Sequence, residues 1–193
     1  RLAPAAEAGL ICYLWPLFIV LFSGLLPGET LRAGHVLGAL LAFAGAAVIV
    51  AGGIGSVSGA MTGYVVAFVA ALTWAAYSLG SRRLAQVPTA AVAVTCLATA
   101  LLSALAHLGL ESTAWPQDGL GWLAVVALGL GPVGLAFYTW DVGVKGGDIQ
   151  LLGTASYAAP LLSTLALVLA GMARASMSLA VAAVLIAGGA ALA

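Results

Sequence analysis

Apolar residues run along this chain in seven blocks, approximately Ala8–Leu26, Ala33–Gly52, Gly63–Gly80, Thr89–Leu110, Leu120–Trp140, Ile149–Gly171 and Ser176–Ala193. Each has about the length that crosses a bilayer as a helix, roughly 17 to 25 residues. Short breaks separate them: Pro27 to Glu29, Gly53 to Gly59, Ser81 to Pro88, Glu111 to Gly119, Asp141 to Asp148, and Met172 to Ala175. Every Asp, Glu, Lys and Arg falls in a break or at the edge of a block. A charge at the centre of a span costs roughly 2.5 to 3.5 kcal/mol, which accounts for that placement. Helices apolar on every face have no side to show to water, so the pattern predicts an all-α integral membrane protein.

The blocks repeat. Gly9 to Leu17 reads G-L-I-C-Y-L-W-P-L, and 144 positions downstream Gly153 to Leu161 reads G-T-A-S-Y-A-A-P-L. Gly9, Tyr13, Pro16 and Leu17 thus fall on Gly153, Tyr157, Pro160 and Leu161, and further on Leu41, Gly45 and Ala46 fall on Leu185, Gly189 and Ala190. The first span pairs with the sixth and the second with the seventh, so one repeat holds five spans. An odd repeat returns with opposite topology. The expected architecture is an inverted five-plus-five bundle of which spans four to ten are present, with on the order of 80 to 90 residues expected ahead of Arg1 by the repeat register. Residues 1–56 would close the first repeat and residues 57–193 form the second.

Arg32, Arg82, Arg83 and Lys145 lie on one side of this arrangement, with Arg1 and Arg174 on the other. The side with four basic residues is expected to be cytoplasmic, which also places the C-terminus there. Trp115 and Trp122 at one face, and Tyr138 and Trp140 toward the other, suit an interfacial aromatic belt.

Inverted repeats are the architecture of carriers that hold substrate near the midplane, beside broken helices. Pro16 and Pro160 have no amide hydrogen, so they free the carbonyls of Cys12 and Ser156. Gly9, Tyr13 and Pro16 share a helix face, as do Gly153, Tyr157 and Pro160. Freed carbonyls are costly against lipid, so that face should line a cavity or pack against protein. Bends made only for packing are the competing explanation.

These residues, the P-G-E break and the small-residue second and seventh spans resemble the drug/metabolite transporter superfamily, EamA type. So do W-A-A-Y-S-L-G-S-R-R at Trp74 to Arg83, F-Y-T-W-D at Phe137 to Asp141, and the run Leu151 to Thr164. Those three stretches are similar to exporters of aromatic amino acids in that family. The resemblance implies a multi-pass carrier of the bacterial inner membrane that exports amino acids or related metabolites and uses no cofactor. Its partners would be a small-molecule substrate and the bilayer, with no nucleic acid, as a monomer or weak dimer.

Composition agrees with that reading. Sixty-four per cent of residues are hydrophobic and 6% charged, with six basic residues balanced by six acidic ones, which argues against a nucleic acid or anionic surface as partner. Candidate substrate contacts are Tyr13 and Trp15 on the first span, Trp74, Tyr77 and Ser78 on the third, and Ser156 and Tyr157 on the sixth. Packing or interfacial anchoring is the plainer explanation for Trp74 and Tyr77. Pro16, Pro160 and Pro132 are the expected hinges. An aromatic cavity with a few hydroxyls suits an apolar or aromatic side chain, and an ammonium can rest on ring faces or freed carbonyls. With no Arg or Lys inside a span, a phosphate or nucleotide-sugar carrier is disfavoured. With no carboxylate inside one, proton coupling is slightly disfavoured as well.

Alternatives are a multidrug or small-metabolite exporter of the same fold and an intramembrane hydrolase. The latter would use Ser103, His107 and Glu111, spaced by four along one helix. Residues stacked along one helix do not converge as a triad requires, so that reading is the weaker. His35, beside Arg32, reads as solvated surface, Cys12 and Cys96 as small hydrophobes, and Gly34 with Gly38 and Gly24 with Gly28 as close helix packing.

Overall fold

The computed structural model describes residues 3–51, 61–171, 174 and 176–193. Its regular structure among these residues is all helical, in ten α-helices and one π-helical stretch. Four segments are long and apolar enough to cross a membrane: Met61–Arg83, Ala91–Leu110, Gly119–Gly146 and Ile149–Leu169. Glu7–Ser23, Ala33–Ile49 and Met177–Leu192 are shorter apolar helices. Most of the breaks at Gly53–Gly59 and Met172–Ala175, and the boundary expected between 56 and 57, lie outside the described residues, as does Arg1.

The two Tyr-x-x-Pro segments are broken at the motif. The first forms α1 (Ala5–Cys12) and α2 (Trp15–Ser23), the sixth α8 (Ile149–Ala155) and α9 (Ala158–Leu169). Proline cannot donate within a helix, so the chain turns over the preceding residues and restarts with the proline in its first turn. Pro16 and Pro160 are both buried. The carbonyl of Ser156, released by Pro160, accepts from the Ala159 amide at 3.1 Å.

The remaining elements are α3 (Ala33–Ala51), α4 (Met61–Arg83), α5 (Ala91–Leu110), α6 (Gly119–Leu128), a π-helix at Gly129–Leu135, α7 (Ala136–Gly146) and α10 (Met177–Leu192). The π-helix reads G-L-G-P-V-G-L, and its wider turns accommodate Pro132 without ending the span. Gly119–Gly146 therefore continues as one span past the expected edge at Trp140. That extension overturns one expectation, because Asp141 lies inside α7 with 2% of its surface exposed rather than in a break. Its Oδ2 is 2.6 Å from Lys145 Nζ, which satisfies the charge in place.

The scaffold is the pair α3 and α10. Gly34 lies against Leu192, Gly38 against Gly189 and Gly45 against Ala182, so the helices run antiparallel. A Cβ at Gly34 or Gly45 would stand 2.8 or 2.9 Å from the facing carbonyl oxygen, and one at Gly38 or Gly189 would collide outright with the opposite backbone. Without a hydrophobic drive between helices in lipid, such backbone approach supplies the attraction. Shifting by 144 positions carries Gly38 to Ala182 and Gly45 to Gly189, so the contacts Gly38–Gly189 and Gly45–Ala182 are exchanged copies of each other. Gly28 differs from its expected packing role. Its φ of 83° makes it the left-handed residue of the turn after α2, and a Cβ there would meet open space among the described residues.

The core beside this pair contains Leu17, Val20, Ala39, Ala42, Ala46, Tyr157 and Ile186. A second cluster, Ile19, Leu26, Ala75 and Ile149, joins α2, α4 and α8. Outside them α5 and α6 turn leucines and valines outward, as helices in lipid do.

The Arg82 end is tied together by charge. Arg82 donates to the carbonyls of Val144 at 2.8 Å and Gly147 at 2.7 Å and pairs with Glu29, which also accepts from Gln150 Nε2. Arg83 donates to the Leu25 carbonyl and Lys145 to that of Val87, both at 2.8 Å. At the start of α3, His35 Nδ1 accepts from the Arg32 amide at 3.3 Å, so this histidine caps a helix.

Replacing Gly189 by Val should force α3 and α10 apart and destabilise the protein by about 1 to 3 kcal/mol, as overpacking does. Thermal unfolding of the full-length protein in detergent checks this. Gly188→Ala, at a position with open space among the described residues, should change little.

Candidate functional site

Five aromatic rings from three helices gather beside the break in the sixth span. Trp15 opens α2, Trp74 and Tyr77 lie on α4, and Phe137 and Trp140 lie one turn apart on α7. Trp15 stands edge-on to Trp74 at 6.1 Å between centroids and to Trp140 at 5.3 Å. Trp74 in turn meets Phe137 edge-on at 5.0 Å and Tyr77 in a tilted stack at 5.3 Å. Such edge-to-face pairs set the ring orientations and add about 0.5 to 1.5 kcal/mol each.

Ser78 holds this group in register. It is fully buried, donates from Oγ to the Trp74 carbonyl at 2.9 Å and accepts from Trp140 Nε1 at 2.9 Å. Both bonds are internal, so its role here is to orient the indole of Trp140. Trp140 thereby departs from the interfacial position expected for it, while Tyr138, on the other side of α7, is 48% exposed. Trp115 and Trp122 stack on each other at 5.8 Å, both exposed, as belt residues would be.

The rings border a hollow of about 380 Å³. Trp15, Trp74, Phe137 and Trp140 supply its aromatic walls. Pro132 and Ala136 of the fifth span and Ser156 and Ala159 at the α8–α9 break complete it. No charged side chain is in that lining. Ser156 Oγ donates to the Leu152 carbonyl at 2.7 Å, so its oxygen is available only as an acceptor. Of the residues named from sequence, Trp15, Trp74, Ser156 and Pro132 meet here. Tyr77 borders the adjoining hollow, and Ser78 stands behind the rings.

The two motif tyrosines lie elsewhere. Tyr157 is fully buried against Phe43, and its hydroxyl accepts from the backbone amide of Leu17 at 3.0 Å. That amide belongs to the first turn of α2, where no carbonyl of its own helix serves it. Tyr157 thus caps one broken helix from the other. Tyr13 is half-buried and packs on the same cluster, alongside Leu161. Pro16 lies in this packed region, with its carbonyl beside Gly153.

Phe137 and Trp140 were not among the candidate substrate contacts; Trp140 was expected at the interface and Phe137 figured only within the F-Y-T-W-D motif. Their i, i+3 spacing puts them on one face of the fifth span, and that was the available signal. The Ser103, His107 and Glu111 series does not assemble as a triad. Both His107 nitrogens are taken, Nδ1 by Glu111 Oε2 and Nε2 by Thr113 Oγ1, each at 2.9 Å, while Ser103 borders a different hollow. Among the described residues no cluster of His, Cys, Asp or Glu could hold a metal ion.

Tyr157→Phe removes the acceptor for Leu17 and leaves an amide unpaired in a dry site, at a cost of about 1 to 3 kcal/mol. Chemical unfolding in detergent measures the loss, and Tyr138→Phe on the exposed side of α7 should stay within about 0.5 kcal/mol of the parent.

Comparison with known proteins places this geometry in a family. An EamA-like transporter family model matches residues 1–51 and 61–193. The chain is 59% identical over 196 residues to a protein of Ancylobacter novellus named "Aromatic amino acid exporter YddG", with all of this chain and 68% of that protein aligned. A protein of the same name from Escherichia coli K12 is 27% identical over 172 residues, covering 83% of this chain and 57% of the relative. A solved structure titled "Crystal structure of protein" superposes with a TM-score of 0.94 at 60% identity, over all of this chain and 69% of that one. The chain is therefore a multi-pass membrane protein and belongs to the EamA-like transporter family.

Proposed function

We propose that the protein exports aromatic or other apolar amino acids across the bacterial inner membrane, holding the zwitterion in the aromatic hollow between two oppositely oriented halves. The observation that carries this is the ring group Trp15, Trp74, Phe137 and Trp140 around about 380 Å³, the size of a small-molecule pocket. Ring faces offer an aromatic side chain edge-to-face partners and offer an ammonium about 0.5 to 2 kcal/mol of cation–π attraction. The Ser156 oxygen adds an acceptor for that ammonium.

An uncharged lining fits a neutral or zwitterionic guest better than an anion, which would call for Arg or Lys in the wall. The same apolar walls would accept other flat hydrophobic metabolites, and that lining is what favours a broader exporter as the second reading. The names of the relatives, aromatic amino acid exporters, support the amino acid reading.

Alternating access is the mechanism we propose. The exchanged contacts Gly38–Gly189 and Gly45–Ala182 are what a two-fold axis between inverted halves would produce, with residues 1–56 in one half and 57–193 in the other. The breaks at Pro16 and Pro160, with the π-helix at Pro132, border or adjoin the hollow and would absorb the bending. The Arg82–Glu29–Gln150 cluster would close the basic end, which the positive-inside rule makes cytoplasmic.

Flux of labelled phenylalanine and tryptophan from liposomes carrying the full-length protein tests the reading. Trp15→Ala and Trp74→Ala should each lower flux about tenfold or more, as loss of a buried aromatic contact does. His107→Ala should leave it unchanged. Flux indifferent to both tryptophans overturns the assignment of the hollow, and ester or peptide hydrolysis lost in His107→Ala would replace the carrier with an enzyme.

A further inference from the structure

A second hollow of about 350 Å³ adjoins the first and shares the rings of Trp74 and Phe137 with it. Its far wall is α5, which presents Thr95, Thr99 and Ser103 at successive helical turns, with Cys96 beside them. Tyr77 closes it on the α4 side. An otherwise leucine- and alanine-rich span thus places three hydroxyls along one open-sided hollow, where Thr95, Thr99 and Ser103 remain exposed, while Leu97, Leu101 and Leu105 are 60 to 67% exposed.

The protons of two of these hydroxyls are already committed. Thr95 Oγ1 donates to the Val92 carbonyl and Thr99 Oγ1 to the Thr95 carbonyl, each at 2.9 Å. A hydroxyl has one proton and two lone pairs, so each can still accept but has no proton left to give. Thr95 and Thr99 therefore offer only acceptors, and beside apolar walls such acceptors favour a guest with a proton to donate.

We infer that this α5 wall is a subsite for the polar atom on an aromatic substrate side chain, the phenol O–H of tyrosine or the indole N–H of tryptophan. The inference deepens the exporter reading and rests on it. The substrate ring would lie along Trp74 and Phe137, which border both hollows, with its polar atom toward α5 and the zwitterionic end in the first hollow beside Ser156. Thr99 and Ser103 would then determine preference among aromatic amino acids, since a donor that loses its water without gaining an acceptor is penalised, while phenylalanine has no such donor.

The test compares flux of tyrosine, tryptophan and phenylalanine in liposomes carrying the full-length protein. Thr99→Val keeps size and removes the acceptor, and Ser103→Ala removes the other. The double variant should lose about 3- to 10-fold in tyrosine flux, somewhat less in tryptophan flux, and none in phenylalanine flux. Equal losses for all three, or no loss for any, overturn the subsite. Alkylation of Cys96 in a background with every other cysteine replaced gives a second readout, independent of whether the variants fold. Tyrosine should slow it more than phenylalanine does, and a rate that no substrate changes overturns the proposal even where transport is normal. Absence of flux for all three in the unaltered protein would overturn the exporter reading, and the subsite with it.

Discussion

A helix can break inside a bilayer only if something else satisfies the amides and carbonyls that the break releases, and here the hydrogen bond from the Leu17 amide to the Tyr157 hydroxyl meets that requirement. In water a solvent molecule would take the amide at little cost. In hydrocarbon an unpaired group costs several kcal/mol, so the partner must come from protein. Tyrosine suits the position because its long rigid ring buries apolar surface against Phe43 while carrying an oxygen to the end of α2. Once α2 can restart at Trp15, that indole is fixed at the head of a helix with its edge toward Trp74 and Trp140. The aromatic hollow is therefore a consequence of a well-capped break.

The break in turn depends on a scaffold that does not yield. α3 and α10 approach until backbone meets backbone, which only glycine and alanine permit, and Ala39, Ala42, Ala46 and Ile186 of that pair form the floor on which Leu17, Val20 and Tyr157 pack. Close packing in lipid gains dispersion along the whole contact and needs no polar group. The α3–α10 contact thus holds without the polar groups that gather at the Arg82 end, around His107 and along the cavity walls. The arrangement suits a protein in which some helices bend and others stay together.

Much of this was legible from sequence where the physics is local. Continuous apolar blocks have to be buried in lipid, a proline has to interrupt its helix, and a stripe of glycines has to face a neighbouring backbone. The seven apolar helices, the two breaks and the small-residue pair follow from those requirements. Orientation was not legible, because a helix apolar on every face has no moment to indicate which face is inside. Trp140 therefore read as a belt residue although it meets Trp15 and Ser78, and Phe137 was given no place in the cavity. Asp141 read as a boundary because a carboxylate in a span is costly, and the compensating Lys145 one turn later was visible only as another boundary charge. The partner of Tyr157 lies 140 positions away, beyond anything local pattern carries.

The two copies of the Tyr-x-x-Pro motif are not equivalent. Tyr157 is sealed, with its hydroxyl engaged and its companion Gly153 pressed against the Pro16 carbonyl and Val20, where a Cβ would stand 3.2 and 2.9 Å from them. Tyr13 is half-buried, and a Cβ at its companion Gly9 would meet open space among the described residues. One sequence motif thus occupies two environments, closed around the second copy and open around the first. Alanine would fit the open space at Gly9 and favours a helix by about 1 kcal/mol, so among the described residues only Gly153, with the Pro16 carbonyl and Val20 pressed against it, has a packing reason to be glycine.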